Sequence, residues 1–130
     1  MRASKEYQLY KAVAAYLRLQ YPNVIYHFDL TGVNLSKAQA GMTKAIQCGS
    51  GYPDLFIAEP RNGYHGLFIE LKAEGTRICK MDGSPATDHI AKQTEVINDL
   101  TVRGYDCYLK AGFDAVKETI DRYLNGQTNY

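Results

Sequence analysis

Apolar side chains recur every three or four residues in several stretches of the chain, a pattern that predicts amphipathic helices. The first predicted helix runs over 5–20, a short second one begins at Ser36, two more follow over 88–103 and 113–124, and 125–130 is predicted to be a frayed tail. The residues predicted to face inward are Leu9, Val13, Tyr16 and Leu17 in the first helix, Ile90, Ile97 and Leu100 in the third, and Val116, Ile120 and Tyr123 in the fourth.

Runs rich in β-branched and aromatic residues predict strands over 24–28 and 105–110, with a β-hairpin between them. The hairpin turns at Asn62-Gly63, because an Asn-Gly pair readily supplies the positive φ that tight hairpin turns need. Its two strands are Asp54 to Glu59 and Tyr64 to Lys72. The element order is therefore αβαββαβα, which predicts an α/β fold with a mixed β-sheet flanked by helices.

The open end of the hairpin collects charged side chains. Folding the chain back at the turn brings Asp54 beside Glu70 and Lys72, and two-residue alternation places the last two on the same face. A tight two-residue turn would pair Asp54 with Leu71 and point the acid away from that face, so a longer or bulged turn is predicted. The alternative interpretation is an exposed strand end with an ordinary ion pair.

Two ionised carboxylates about 4 Å apart repel by roughly 4 kcal/mol at an effective dielectric constant near 20, so Asp54 and Glu70 together favour a bound cation. Mg²⁺ suits such a site because it prefers oxygen ligands and is commonly held by one or two carboxylates. A backbone carbonyl between Glu70 and Lys72 would complete the protein ligands. Lys72 would orient a water molecule or stabilise the charge that develops on a phosphate under attack.

Pro53-Asp54, followed after the hairpin by Glu70-Leu71-Lys72, resembles the PD-(D/E)xK motif of restriction-endonuclease-like nucleases. The flanking sequences GYPDLF and IELK are similar to those of the virus-type replication-repair nuclease family, VRR-NUC, in its small stand-alone phage and bacterial form. The resemblance implies a restriction-endonuclease-like core and a Mg²⁺- or Mn²⁺-dependent endodeoxyribonuclease that leaves 5′-phosphate and 3′-hydroxyl ends. It also implies a homodimer that acts on Holliday junctions or other branched DNA in the bacterial cytoplasm, encoded by the host or by a phage.

The same resemblance implies roles for individual residues. The implied site consists of Asp54, Glu70 and the Leu71 carbonyl as metal ligands, and of Lys72, Gln93 and Glu6 as further catalytic residues. Glu6 fits an acidic residue that faces the active site from the first helix, although a favourable interaction with the helix dipole explains it equally simply. Gln93 fits a glutamine that follows the ExK strand, and its alternative is a buried glutamine whose hydrogen bonds go to the backbone.

Global charge does not indicate a nucleic-acid-binding protein, because the net charge is +1 and the pI is about 7.7. Any DNA affinity must come from a local basic surface. The 30–53 segment contains no Asp or Glu, and Lys37 and Lys44 stand seven residues apart on one face of the second helix. This pattern predicts either a surface for DNA phosphates or an ordinary solvated helix face.

The 73–86 segment is rich in turn residues and is longer than the connection that the VRR-NUC resemblance implies. It carries Arg77 and Lys80, so one interpretation is a loop that contacts DNA or a second subunit. The other is a flexible insertion without a role.

Two other functions fit parts of the sequence. A non-catalytic nucleic-acid-binding domain could share the fold, but it would have no reason to keep Asp54 and Glu70 facing phosphate. A magnesium-dependent hydrolase of small phosphate esters is disfavoured because the sequence has neither a Gly-rich phosphate loop nor a nucleophile elbow.

A chain of 130 residues suits a single domain spanning 1–130 that can bury its own core. Its cysteines, Cys48, Cys79 and Cys107, are odd in number and lack metal-ligand spacing, so they are predicted to be reduced, buried thiols of a cytoplasmic protein. The sequence shows no secretory signal and no apolar run long enough to span a bilayer.

Overall fold

A computed structural model describes residues 4–30 and 35–126. Its elements, in chain order, are α1 (Lys5–Gln20), β1 (Tyr26–Phe28), α2 (Lys37–Ile46), β2 (Leu55–Ile57), β3 (Leu67–Lys72), α3 (Asp88–Val102), β4 (Asp106–Ala111) and α4 (Phe113–Leu124). This order confirms the predicted αβαββαβα arrangement, with strand ends that differ from the predicted ones by a few residues. The predicted frayed tail lies outside the described residues from position 127 onward.

The strands form one mixed sheet in the order β1-β2-β3-β4. β2 runs antiparallel to both β1 and β3, whereas β4 runs parallel to β3. A parallel pair needs a crossover connection, and α3 supplies it between β3 and β4. The mixed sheet flanked by helices confirms the predicted fold class.

β3 is buried on both faces of the sheet. Leu67, Ile69 and Leu71 join the main hydrophobic core, to which β2, α1 and α4 also contribute. The alternate residues of β3 point to the opposite face, where Gln93 of α3 meets Glu70. The two-residue period of this strand therefore separates an apolar core from a polar site.

The helix stripes follow the predicted periodicity with two differences. In α1 the buried residues are Leu9, Tyr10, Val13 and Leu17, so Tyr10 joins the buried stripe and Tyr16, which was predicted to face inward, does not. Tyr16 stays half-buried because its hydroxyl donates to Asp121 of α4 at the edge of the core. In α3 only Ile90 and Gln93 are fully buried, and Ile97 and Leu100 are half-buried.

The hairpin turn is tight, but the register of the two strands shifts by one residue between the turn and the β2–β3 pairing. Asn62 and Gly63 both have positive φ, 54° and 84°, as an Asn-Gly turn requires, and Arg61 pairs with Tyr64. Further along, Ile57 pairs with Leu67, so the residues 58–60 lie opposite the shorter stretch 65–66 and form a bulge. The predicted bulge is therefore confirmed. It turns the hairpin register so that the position of Asp54 falls opposite that of Glu70.

The predicted burial of the cysteine thiols is wrong for two of them. Cys48 and Cys79 are exposed, and Cys107 is half-buried in β4; all three are free. The cause lies in their segments: Cys48 follows α2, a helix with no buried residue, and Cys79 lies in the 73–86 loop on the surface. Only Cys107 is part of the sheet.

The 73–86 segment has a hydrogen-bonded structure of its own. Lys80 N–H donates to the Ser84 carbonyl at 2.7 Å, and Ala86 N–H donates to the Ile78 carbonyl at 2.8 Å. The segment therefore forms a small hairpin on the surface, with its turn at 81–83. Within residues 4–30 and 35–126, no helix has the length and apolar character needed to cross a membrane.

Candidate active site

Main-chain geometry at the ends of β2 and β3 fixes the position of Asp54. This residue directly precedes β2, and its carbonyl accepts a hydrogen bond from Asp29 N–H at 2.7 Å. One oxygen of its side chain, Oδ2, accepts from Leu71 N–H at 2.9 Å. Gly51 allows this segment to approach α3, because a Cβ at that position would lie 3.2 Å from the Lys92 carbonyl oxygen and the backbone has φ +88°.

Glu70 lies at the centre of a buried polar cluster. Its Oε1 accepts from Gln93 Nε2 at 2.6 Å and lies 3.7 Å from Lys72 Nζ. Asp54, Glu70, Lys72 and Gln93 are exposed by only 5, 3, 7 and 4%. This burial contradicts the interpretation of an exposed strand end with an ordinary ion pair. It also shows that Gln93 bonds to an acid rather than to the backbone.

The pKa values of Asp54 and Glu70 show that it is unfavourable to ionise both buried acids without a further positive charge. Burial raises the pKa of Glu70, and the adjacent Asp54 charge raises it further. Burial also raises the pKa of Asp54, although its hydrogen bonds and the Lys72 charge oppose the rise. The pKa values of both acids are therefore raised mainly because burial disfavours the charged carboxylates, and the Lys72 charge offsets this only in part.

A cleft of about 240 Å³ opens beside this cluster. Glu6 of α1 forms part of its wall, and burial followed by the Asp54 charge raises the pKa of Glu6. The structure therefore places every predicted catalytic side chain at one cleft, which is lined by Glu6, Gly51, Tyr52, Asp54, Glu70, Lys72, His89 and Gln93.

Two cleft residues were not predicted from the sequence. His89 precedes Gln93 by four residues, so both lie on the same side of α3, and this spacing is the signal that could have found it. Tyr52 lies edge-on to Phe68, with ring centroids 5.5 Å apart, and gave no signal beyond its proximity to Asp54 in the sequence.

The predicted DNA-binding residues lie outside this cleft. Lys44 borders a separate surface depression between α2 and the glycine-rich 49–51 segment. Lys37 lies seven residues earlier on the same face of α2 and is exposed. Arg77 and Lys80 line another depression within the 73–86 loop. Their predicted contact with DNA remains a prediction.

The Leu71 carbonyl faces the same edge of β3 as Asp54. Within a strand, the N–H and C=O of one residue point to the same side, and Leu71 N–H donates to Asp54. The next residue points the other way, since the Lys72 carbonyl accepts from Gly112 N–H after β4. The Leu71 carbonyl is thus directed to the side of β3 on which Asp54 lies.

These oxygen ligands fit a hard cation such as Mg²⁺ or Mn²⁺ better than a metal that prefers imidazole or thiolate ligands, such as Zn²⁺. Within the described parts of the chain, no three His, Cys, Asp or Glu side chains lie close enough to bind one ion, so Glu6 does not join the acid pair as a direct ligand. Two carboxylates and one carbonyl are a sufficient protein contribution for Mg²⁺, which keeps several waters. Oε2 of Glu70 is buried without a hydrogen-bond partner and is therefore a free ligand atom.

A comparison with solved structures finds a protein of similar fold. The chain is similar to a protein named "VRR_NUC domain protein", with a TM-score of 0.68 and 26% sequence identity over 97% of this chain and 93% of that one. This chain has the VRR-NUC fold. No family model matches the sequence, and no curated protein matches it.

The VRR-NUC fold confirms the resemblance carried by Pro53-Asp54 and Glu70-Leu71-Lys72. It is a nuclease-family fold, and nucleases of this kind are typically metal-dependent. The coverage of both chains means that the likeness extends from α1 to α4 rather than being confined to the hairpin. The roles of the individual residues at the cleft are proposals, set out next.

Proposed function

We propose that this chain is a Mg²⁺- or Mn²⁺-dependent endodeoxyribonuclease that cuts branched DNA, Holliday junctions included, and that residues 1–130 form one nuclease domain. The observation that carries the proposal is the buried pairing of Asp54 with Glu70, two acids with raised pKa values at one cleft. Perturbed acids that repel one another are expected where a divalent cation is bound. The VRR-NUC fold supports the same class of reaction.

In this proposal Asp54, Glu70 and the Leu71 carbonyl hold the cation. The directions of the Asp54 and Leu71 groups and the unpartnered Glu70 Oε2 support this set. When bound, the cation would polarise the scissile phosphate and lower the pKa of a coordinated water.

Lys72 stabilises the negative charge that develops on the phosphate during attack. Its Nζ is held 3.7 Å from Glu70 Oε1, and its side chain is only 9% exposed. A fixed cation in such surroundings is weakly screened by water, so it acts on the developing charge more strongly than a mobile surface lysine would.

Gln93 orients the attacking water. Its Nε2 is committed to Glu70, which leaves Oε1 as a buried acceptor without a partner in the described structure. The water oxygen bonds to phosphorus, its proton passes to Glu6 on the cleft wall, and the P–O3′ bond breaks. The leaving oxygen takes a proton from solvent, which gives the 5′-phosphate and 3′-hydroxyl ends.

DNA outside the cleft is held by basic residues on the surface, namely Lys37, Lys44, Arg77 and Lys80. All are exposed. Replacing Lys37 and Lys44 together by Ala is expected to lower the salt-dependence slope of binding by about two, while turnover at saturating DNA stays near that of the parent. The homodimer implied by the family resemblance is tested by the mass measured in light scattering.

The test of the proposed function is cleavage of four-way junction, flap and linear duplex DNA with Mg²⁺ or Mn²⁺, using Glu70→Gln as the matched variant. The parent is expected to cut branched DNA and the variant to bind it without cutting. Binding is measured separately in Ca²⁺. A parent protein that binds branched DNA and never cuts it with either metal would support a non-catalytic nucleic-acid-binding domain instead.

A further inference from the structure

The buried polar atoms without partners are concentrated at one place. Within the described residues they are the hydroxyl of Tyr10, Oε2 of Glu70 and Oε1 of Gln93. The last two belong to the proposed site and are explained by a cation and a water. A buried polar group without a partner costs stability, and such a group is often retained because a function requires it. The Tyr10 hydroxyl therefore needs an explanation of its own.

Tyr10 is held rigidly against the site from the side of α1. It follows Glu6 by four residues, is 3% exposed, and stacks on Phe28 with ring centroids 5.3 Å apart. Its hydroxyl lies beside Asp54 and makes no hydrogen bond of normal geometry there. Burial, followed by the Asp54 charge, raises the pKa of Tyr10.

The main chain of β3 fixes one side-chain oxygen of Asp54. The Leu71 amide donates to Oδ2, and the main chain of Asp54 is bonded to Asp29. A carboxylate that holds a cation accepts strong hydrogen bonds, so a donor beside Asp54 would hold its side chain in one orientation.

We infer that Tyr10 is a positioning residue for the metal site: its hydroxyl donates to Asp54 when a divalent cation is bound, and it fixes the orientation of that carboxylate. The inference rests on the proposed metal site at Asp54 and Glu70. Hydrogen bonds to a ligating carboxylate commonly change metal affinity or activity by 10–100-fold when they are removed.

Tyr10→Phe tests the inference because it keeps the ring on Phe28 and removes only the hydroxyl. Binding of Mn²⁺, measured by titration calorimetry, is expected to weaken by about tenfold or more. The melting temperature without divalent cation is expected to equal or exceed that of the parent, since the lost hydroxyl has no partner there. If the Tyr10 side chain served only the core, Tyr10→Phe would bind Mn²⁺ with the affinity of the parent and would melt at a lower temperature.

Tyr16→Phe is the matched control. The Tyr16 hydroxyl donates to Asp121 at 2.5 Å in a cluster outside the cleft. This variant is expected to melt at a lower temperature than the parent and to bind Mn²⁺ with unchanged affinity. A second readout uses the parent itself: Mg²⁺ should produce a tyrosine band in the near-ultraviolet difference spectrum, and Tyr10→Phe should lose that band.

The outcomes separate the inference from the proposed function. A parent that binds Mn²⁺ through Asp54, together with a Tyr10→Phe protein of equal affinity and no spectral change, would overturn the role of Tyr10 alone. A parent whose Mn²⁺ affinity is the same as that of Asp54→Asn would overturn the metal site and the inference with it.

Discussion

Two acidic clusters of this protein have similar neighbours and opposite properties. Near the ends of α1 and α4, Asp121 accepts from the Tyr16 and Tyr21 hydroxyls at 2.5 and 2.7 Å through one oxygen. Its other oxygen accepts from Lys117 Nζ at 3.1 Å. Burial raises the pKa of Asp121, but these hydrogen bonds and the Lys117 charge outweigh it, so the pKa of this acid is lowered overall.

The cluster at the cleft, Asp54, Glu70, Lys72 and the neighbouring Tyr10, contains the same kinds of group, but it lacks enough hydrogen-bond partners and positive charge for them. Two acids share the Lys72 charge, a tyrosine hydroxyl beside them has no partner, and the pKa values of both Asp54 and Glu70 are raised. The difference teaches that burial of an acid does not by itself mark a functional site. What marks it is a deficit of donors and positive charge that a ligand would supply.

The largest expected effect comes from Lys72, the lysine of the cluster at the cleft. Lys72→Ala removes the positive charge closest to the proposed phosphate position, so the single-turnover cleavage rate in Mn²⁺ is expected to fall by about two orders of magnitude or more. DNA affinity, measured in Ca²⁺, is expected to fall only modestly.

The control is Lys117→Ala, which removes the corresponding cation from Asp121. It is expected to cleave like the parent because that cluster contacts no substrate. Equal cleavage by the parent and by Lys72→Ala would remove the catalytic assignment, and equal losses in both variants would show that the two clusters do not differ in function.

The effect of a bound divalent cation on stability is the next test of the difference between the two clusters. A cation that binds only the folded protein stabilises it by about 2.7 kcal/mol at a concentration 100 times its Kd, which raises the melting temperature. Asp54→Asn is expected to abolish this rise and to melt no lower than the parent in EDTA, because one of two repelling acids is gone.

Asp121→Asn is expected to show the reverse. It should melt lower than the parent in EDTA, because three hydrogen bonds lose their charged acceptor, and it should keep the full rise with Mg²⁺ or Mn²⁺. A metal-induced rise that survives in Asp54→Asn would place the ion elsewhere.

The two clusters should also give stability profiles of opposite slope against pH, measured without divalent cation. The pKa of Asp121 is lowered on folding, so its stabilisation is present above the unfolded value, about 3.9, and is lost as pH falls through the folded pKa. The pKa of Glu70 is raised on folding. Its contribution is present below the unfolded value, about 4.3, and is lost as pH rises through the folded pKa.

Chemical denaturation across that pH range checks both slopes. The stability lost by Asp121→Asn relative to the parent should shrink in acid, and Glu70→Gln should gain on the parent as the solution becomes alkaline. Parallel profiles for the parent and Glu70→Gln would mean that Glu70 is ionised in the folded protein, contrary to the raised pKa.

The sequence predicted the elements and one of the two clusters. Helix periodicity, the Asn62-Gly63 turn and the Asp54–Glu70 pairing are encoded over short distances, and the requirement that the acids share a face was enough to predict the bulge. The position of His89 in the cleft was missed, because a polar residue in a first helical turn has the same pattern whether it faces solvent or a site.

Contacts between distant segments were beyond sequence reasoning. Tyr16 and Asp121 are 105 residues apart, and neither belongs to a local motif. Tyr10 shares the helical stripe of core residues, so periodicity could not show that its hydroxyl would be buried beside Asp54. The exposure of Cys48 and Cys79 was missed because it depends on how little the surrounding segments pack.

The smallest expected effect concerns the tyrosine hydroxyls that satisfy Asp121. Tyr21→Phe removes one hydrogen bond to a charged acceptor and is expected to lower the free energy of unfolding by about 1–2 kcal/mol, because the deletion leaves the acid with one donor fewer. In the Asp121→Asn background the same substitution should cost less, since the acceptor is no longer charged. Urea denaturation of the four proteins of this cycle gives the coupling energy. A coupling energy near zero would mean that Tyr21 stabilises α1 through its ring alone, and the contrast between a satisfied and an unsatisfied acid cluster would then rest on Tyr16 and Lys117.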